Sequence, residues 1–268
     1  LLAVSRRKEI LEVLYLQQAV QVPELSKRYQ VTEETIRKDL EKLEKQGLLK
    51  RTHGGAVKMP EMGLELPFSI RNATNMEEKK RIAIEAAKLV NDYDVIALDP
   101  SSTSLQLAYQ LRHKRGLTVV TNSLNVLEVF KEASSIHVFS TGGSFHTQSL
   151  CFVGEAAEEM IKRHVIEKVF ISTRGLTLNN GLMEPNEQEA RMKKVFIEMS
   201  KEVILLQDRS KFDKSAFYPI APLERIDCLI TDDDIPQDYE ERLALLNKKL
   251  IISRREETAE DHEMYTRN

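Results

Sequence analysis

Cysteine is scarce in this chain, with only Cys151 and Cys228 in 268 residues. Both stand in apolar surroundings without a CxxC pair or a Cys/His spacing. No metal site or disulfide framework is therefore expected, and buried free thiols in a reducing cytoplasm are. Long apolar runs are lacking as well. No stretch approaches the ~18–20 apolar residues of a membrane span, and no apolar signal segment precedes the basic start, so no membrane association is expected. A large excess of charge of one sign is lacking too, the net being −3. What remains, 41% apolar and 30% charged residues, fits a soluble globular protein of one large or two modest domains.

The small net charge hides an asymmetry. Residues 1–58 hold twelve Lys/Arg against eight Asp/Glu, a net of +4, and the rest of the chain carries −7. A basic front on an acidic body fits one end that meets a polyanion and another that does not.

Within that front, Ile10, Leu11, Val13 and Leu14 recur at helical spacing and predict a first helix from Arg6 to about Leu16. "QVPELSKRY" predicts a second, with Pro23 suited to its first turn. Thr32 is placed to cap a third helix, whose dipole Glu33 and Glu34 favour and which Gly47 ends. Ile36, Leu40 and Leu43 turn one stripe inward and leave Thr35, Arg37 and Lys38 outward. "LLKRTHGGAV" then reads as two short strands around Gly54-Gly55, a wing carrying Lys50, Arg51 and His53. This is a winged helix-turn-helix, whose third helix lies in the major groove of double-stranded DNA. The DNA-contacting set is Thr32, Glu33, Thr35, Arg37, Lys38, Lys50, Arg51 and His53.

The stretch from Arg6 to Val57, with "TIRKDL", "LEKQGLL" and "RTHGGA", closely resembles the N-terminal domain of DeoR-family bacterial transcriptional regulators. The resemblance implies a winged helix fused to a sugar-phosphate effector domain, in a cytoplasmic repressor of carbohydrate genes.

After a segment with two prolines and no sustained period, expected to be a linker over 59–76, strand-like runs alternate with helical stretches. The runs are "DVIALD", "LTVVTN", "IHVFST", "KVFIST", "EVILLQD", "CLITD" and "KLIIS". The alternation predicts a doubly wound, mostly parallel α/β domain over 77–253, followed by a polar tail over 254–268. Polar clusters follow several strands: Asp99 to Ser104, Thr121-Asn122-Ser123, Thr141-Gly142-Gly143 and Asp208 to Lys211. Open parallel sheets bind ligands beyond their strand C-termini, so these clusters are expected to share a small-ligand pocket.

This half resembles the DeoR effector domain, which is similar in fold to ribose-5-phosphate isomerase. "DPSST" stands at the family's phosphate turn, with the TNS and GG turns and "DRSKF" also present. "GLTLNNGLMEPNEQEA" matches the segment that supplies a carboxylate, which points to Glu189. The chain departs from the family pattern at Ser101 (for glycine), His146 (for arginine), the "STRG" turn that carries Arg174, and Gln207 (for alanine). Arg174 is a candidate to replace the charge lost at position 146. The expected effector set is Asp99, Ser101, Ser102, Thr103, Thr121, Asn122, Ser123, Gly142, Gly143, Arg174, Glu189, Asp208 and Lys211. In it, Ser102 and Thr103 hold the phosphate with the helix-start amides, and Asp99 faces sugar hydroxyls.

Isomerisation of a sugar phosphate would need a positioned base, for which Asp99, Glu184, Glu187, Glu189, Asp208 and Lys211 are candidates. Turnover by a repressor would discharge its own signal, so sensing without chemistry is expected. No cofactor is expected, and repeated operator half-sites call for a homo-oligomer, dimer or tetramer. The alternatives are an isomerase-like enzyme and a DNA-binding regulator whose pocket holds no ligand.

Overall fold

The computed structural model describes residues 2–59, 65–233 and 235–255. The tail beyond residue 255 and the centre of the expected linker, 60–64, lie outside the described residues.

The head begins with α1 (Ala3–Gln17), β1 (Ala19–Gln21), α2 (Val22–Tyr29) and α3 (Glu33–Lys45). The wing follows as β2 (Leu49–Thr52) and β3 (Gly55–Lys58). Thr32 caps α3 as its position predicts, its hydroxyl accepting from the Thr35 amide at 3.3 Å. Strand β1 pairs antiparallel with β3, so the wing is a three-stranded sheet rather than a hairpin. Three residues between two helices carry too short a pattern to announce a strand. Gly55 is needed there, because a Cβ would stand 1.8 Å from the Val20 carbonyl oxygen. Helix α1 is tied to α3 through a buried ion pair, Arg6 Nε to Asp39 Oδ2 at 2.6 Å, with Arg7 reaching the other oxygen at 3.4 Å.

Helix α4 (Phe68–Ala73) occupies the segment expected to be plain linker, and α5 starts at Met76 (Met76–Ala87). Six residues after a proline are too few to show a period. Their side chains divide between two cores: Ile70, with Leu66 just before the helix, packs in the head, while Phe68 packs in the body. The head's core therefore reaches past residue 58.

In the body come β4 (Val95–Leu98), α6 (Ser102–Leu111), β5 (Thr118–Thr121), α7 (Leu124–Phe130) and β6 (His137–Ser140). Next are β7 (Ser144–His146), β8 (Cys151–Val153), α8 (Glu155–Lys162), β9 (Ile166–Ile171), β10 (Gly175–Thr177) and β11 (Gly181–Glu184). The chain continues through α9 (Glu187–Met199), β12 (Ser200–Gln207), β13 (Tyr218–Ala221), β14 (Cys228–Asp232), α10 (Gln237–Leu245) and β15 (Lys249–Ser253). All seven apolar runs become strands of one parallel sheet, ordered β15-β14-β12-β9-β4-β5-β6. Separate buried clusters lie on its two faces, one with α5, α6 and α7 and the other with α8, α9 and α10. The expected doubly wound α/β architecture is present. Two small antiparallel sheets, β7-β8 and β10-β11-β13, are added beyond the expectation.

Candidate functional site

A cavity of about 200 Å³ lies over the C-terminal ends of β4, β9 and β12. Of the residues expected from sequence, Ser101, Ser102, Thr103, Arg174, Asp208 and Lys211 line it. Its floor is the start of α6. Ser101 caps this helix, accepting from the Ser104 amide at 3.0 Å and donating to the Ser104 hydroxyl at 2.9 Å. Its backbone is extended (φ −77°, ψ 154°), so the position makes no demand for glycine, and serine there serves as a cap. The first helical amides, Ser102 and Thr103, have no intrahelical acceptor by the geometry of a helix end, and they face an anion naturally.

Asp99 does not face the ligand space. It is fully buried and braces the floor: Oδ1 accepts from the Ser101 amide (3.2 Å) and the Ser104 hydroxyl (2.6 Å). Its Oδ2 accepts from the Ser172 amide (3.1 Å) and lies 3.2 Å from Lys193 Nζ. A carboxylate with these partners holds two turns together instead of reading hydroxyls.

The TNS and GG turns also stand apart from the cavity. The β7-β8 hairpin closes over the ends of β5 and β6, with Phe152 N donating to Asn122 O (2.8 Å) and Leu124 N to Leu150 O (3.0 Å). Thr121 donates to Leu98 O at 2.7 Å, Asn122 Nδ2 to Phe152 O at 2.9 Å, and Ser123 caps α7. Gly142 and Gly143 both take positive φ, and a Cβ on Gly143 would meet the Val153 carbonyl oxygen at 2.7 Å. These are structural turns under a hairpin that the sequence did not announce.

Glu189 belongs to a neighbouring network. Ser149 Oγ donates to it at 2.5 Å, and His146 lies 3.6 Å away, with Glu65 on the other side of that ring at 3.3 Å. Burial pushes the Glu189 carboxyl up, but the neighbouring His146, Arg71 and Lys193 outweigh it and hold it at about 2. The nearby Glu189 carboxylate raises the His146 imidazole in turn. Cys151 joins this group, its ligand atom within 4.8 Å of those of His146 and Glu189, although no spacing in the sequence brings the three together. Burial pushes its thiol well up, away from the thiolate that metals prefer. Both cysteines are free and buried.

The cavity's other cations escaped the sequence reading. Lys193 on α9 donates to Ser172 O (2.5 Å) and to Glu184, and with Asp99 it forms a buried triad. Burial alone would lower this lysine, but Glu184 and Asp99 outweigh it and raise it. Glu184 itself is raised by burial, against the pull of Lys193. Lys79 on α5 is buried and donates to the carbonyls of Arg71 and Thr74. Burial pulls it down to about 7, although Asp208 pushes the other way. Both lysines had a signal: each sits in register with its helix's buried apolar stripe, as Lys79 does with Ile82, Ala83 and Ala86. Arg71 had none, because its helix was read as linker. Its Nε donates to Leu66 O (3.2 Å), while Nη2 is buried without a hydrogen-bond partner among the described residues. Asp208 likewise uses Oδ1 for Asn75 (2.8 Å) and Ser210, and leaves Oδ2 buried and unpartnered among the described residues. Gln207, in place of a small residue, holds the turn that carries Arg174, accepting from Thr173 N (3.1 Å) and donating to Thr173 O (3.3 Å).

On the head, Arg37 and Lys38 of α3 and Lys50, Arg51 and His53 of the wing are exposed. Arg37 pairs with Glu33 at 2.6 Å, Lys38 with Glu34 at 3.7 Å and Arg51 with Glu44 at 3.1 Å. Thr32 is exposed and Thr35 half-buried on the same helix start.

Comparison with known proteins follows this division. Residues 6–61 match the family model described as the DeoR-like helix-turn-helix domain, and residues 74–233 match the DeoR C terminal sensor domain. The HTH-type transcriptional regulator YulB of Bacillus subtilis is 41% identical over 253 residues, 94% of this chain and 97% of that protein. GolR of Listeria innocua, also an HTH-type transcriptional regulator, is 36% identical over 231 residues, covering 86% and 91%. The transcriptional repressor AccR of Agrobacterium fabrum is 30% identical over 250 residues, covering 93% and 97%. Among solved structures, ribose 5-phosphate isomerase A from Methanocaldococcus jannaschii aligns with a TM-score of 0.39 and 17% identity, over 52% of this chain and 55% of that one.

Proposed function

Because this chain belongs to the DeoR family of DNA-binding transcriptional regulators, we propose that it represses carbohydrate genes and is controlled by a phosphorylated sugar bound in the cavity between β4, β9 and β12. The observation that carries the reading is the pairing of an open helix start with buried, unsatisfied polar groups. The amides of Ser102 and Thr103 suit a phosphate, and Arg71 Nη2 and Asp208 Oδ2 lack partners that a hydroxyl-rich ligand would supply. Arg174, Lys79 and Lys211 add positive charge around them. The chain is a regulator and not an enzyme, in keeping with Asp99 being committed to bracing the floor.

In this reading α3 and the wing engage operator half-sites, and the active species is a dimer or tetramer. Effector binding shifts the balance between two head arrangements by a coupling of about 1 to 3 kcal/mol, enough to change operator occupancy several-fold or more.

Thermal-shift and calorimetric screening of phosphorylated sugars, with their unphosphorylated partners as controls, tests this. Lys211→Met should abolish the effector response while leaving ligand-free operator affinity within about twofold, since only the distal pocket loses a charge. Binding of unphosphorylated sugars alone would overturn the assignment.

A further inference from the structure

His146 of β7 and Cys151 of β8 face each other as register partners across the hairpin, and both turn towards Glu189 of α9. Strand alternation brings this about, since Phe145 and Phe152 take the opposite side, their rings 5.4 Å apart. The imidazole, thiol and carboxylate ligand atoms all lie within 4.8 Å of one another. Cys151 is fully buried and Glu189 nearly so, whereas the half-buried His146 leaves a path from solvent. None of the three lines the effector cavity.

The imidazole is oriented for coordination. Glu65 Oε1 stands 3.3 Å from His146 Nε2 and favours the proton on that nitrogen, as a carboxylate beside a metal-bound histidine does. Nδ1 then turns its lone pair towards Glu189, 3.6 Å away, and is buried with no hydrogen-bond partner among the described residues. Both carboxylates are themselves held. Asn186 Nδ2 donates to Glu65 at 3.0 Å, and Ser149 Oγ lies between the two, 2.5 Å from Glu189 and 3.3 Å from Glu65.

We propose that His146 Nδ1, Cys151 Sγ and a Glu189 oxygen bind a divalent transition-metal ion, Zn²⁺ by the chemistry of the donors, with Glu65 as a positioning residue. Mixed nitrogen, sulfur and oxygen donors suit zinc, and water takes the fourth place. Magnesium and calcium prefer oxygen alone. Burial keeps the thiol protonated without an ion, but a coordinating thiol is deprotonated outright and its proton leaves to solvent. The thiolate, Glu189 and Glu65 then set three negative charges against the dication and the nearby Arg71 and Lys193. The ion fastens the hairpin to α9. Through Glu65, which precedes the head-core residue Leu66, it also bears on the junction of the two domains.

Cobalt is the probe, because a Co²⁺–thiolate bond gives a near-ultraviolet charge-transfer band that reports the cysteine itself. The full chain, stripped with chelator and titrated with Co²⁺, should develop that band together with the visible bands of a four-coordinate ion. Zn²⁺ should bleach both, and excess Mg²⁺ neither. Cys151→Ala should abolish the thiolate band, while Cys228→Ala keeps it. His146→Ala should weaken Co²⁺ binding at least about 100-fold, and Glu65→Ala about 10- to 100-fold with the band intact at saturation. Thermal melts without metal check folding, and Cys151→Ser or His146→Gln replaces an alanine variant that melts early. No thiolate band in wild type, or a band that survives loss of Cys151, overturns the proposal, as does unchanged affinity without His146. Wild-type affinity in Glu65→Ala overturns the positioning role. Neither sugar nor operator is present, so the result stands apart from the effector assignment.

Discussion

Lys79 occupies a position where α5 would ordinarily present an apolar side chain, and burial there makes its ammonium easier to deprotonate. An unfolded lysine titrates near 10.4, whereas burial brings this one to about 7. The folded chain therefore binds fewer protons than the unfolded chain between those values. Burial of the ammonium destabilises the fold fully below pH ~7, and that penalty fades as the pH rises towards ~10. An anionic effector acts in the opposite sense, because it favours the charged lysine. Above pH 7, binding should take up as much as one proton, and affinity should fall by up to about tenfold per pH unit. Calorimetry at pH 8 in buffers of different ionisation enthalpy would show the uptake, and Lys79→Met should remove it. Affinity that stays level from pH 7 to 8.5 would contradict this account.

Among the elements, α3 has the clearest task. Arg37 is tethered to Glu33 one turn back, so an approaching operator must compete with a surface ion pair worth less than about 1 kcal/mol. Arg37→Ala should weaken specific operator binding by about 1 to 3 kcal/mol if it reads a base. Gel-shift titration against specific and scrambled duplexes would separate this from a loss of phosphate contact, which weakens both. Helix α3 was legible because a capping threonine, acidic first-turn residues and a three-residue apolar stripe all agree. The five inner strands of the sheet were legible for a related reason: parallel strands covered on both faces become continuous apolar runs. The candidate site was read less completely. Strand-end position located Ser101 to Thr103, Arg174, Asp208 and Lys211, but it also drew in Thr121 to Ser123 and the two glycines. Only the β7-β8 hairpin, three residues to a strand, removes those from the ligand space. Lys58 and Gln18 reach the cavity from another domain, a relation that no local pattern encodes.

At the scale of the whole molecule, the head and body are joined by shared structure rather than by a tether. Leu66 and Ile70 are almost fully buried in the head's core although they follow the wing, while Phe68 between them is buried in the body. Full burial of such side chains contributes about 1.5 to 3 kcal/mol each. A fragment ending at Lys58 should accordingly be poorly folded by circular dichroism, whereas one ending after Thr74 should melt cooperatively. A well-folded shorter fragment would show that α4 is dispensable to the head. The same splice limits how such a regulator can be recombined. A chimera that exchanges promoter specificity by cutting after the wing would leave the recipient body holding the donor head's missing core residues. A working junction has to carry α4 across with the head, and Phe68 and Arg71 would then have to suit a body and a cavity with which they were not selected.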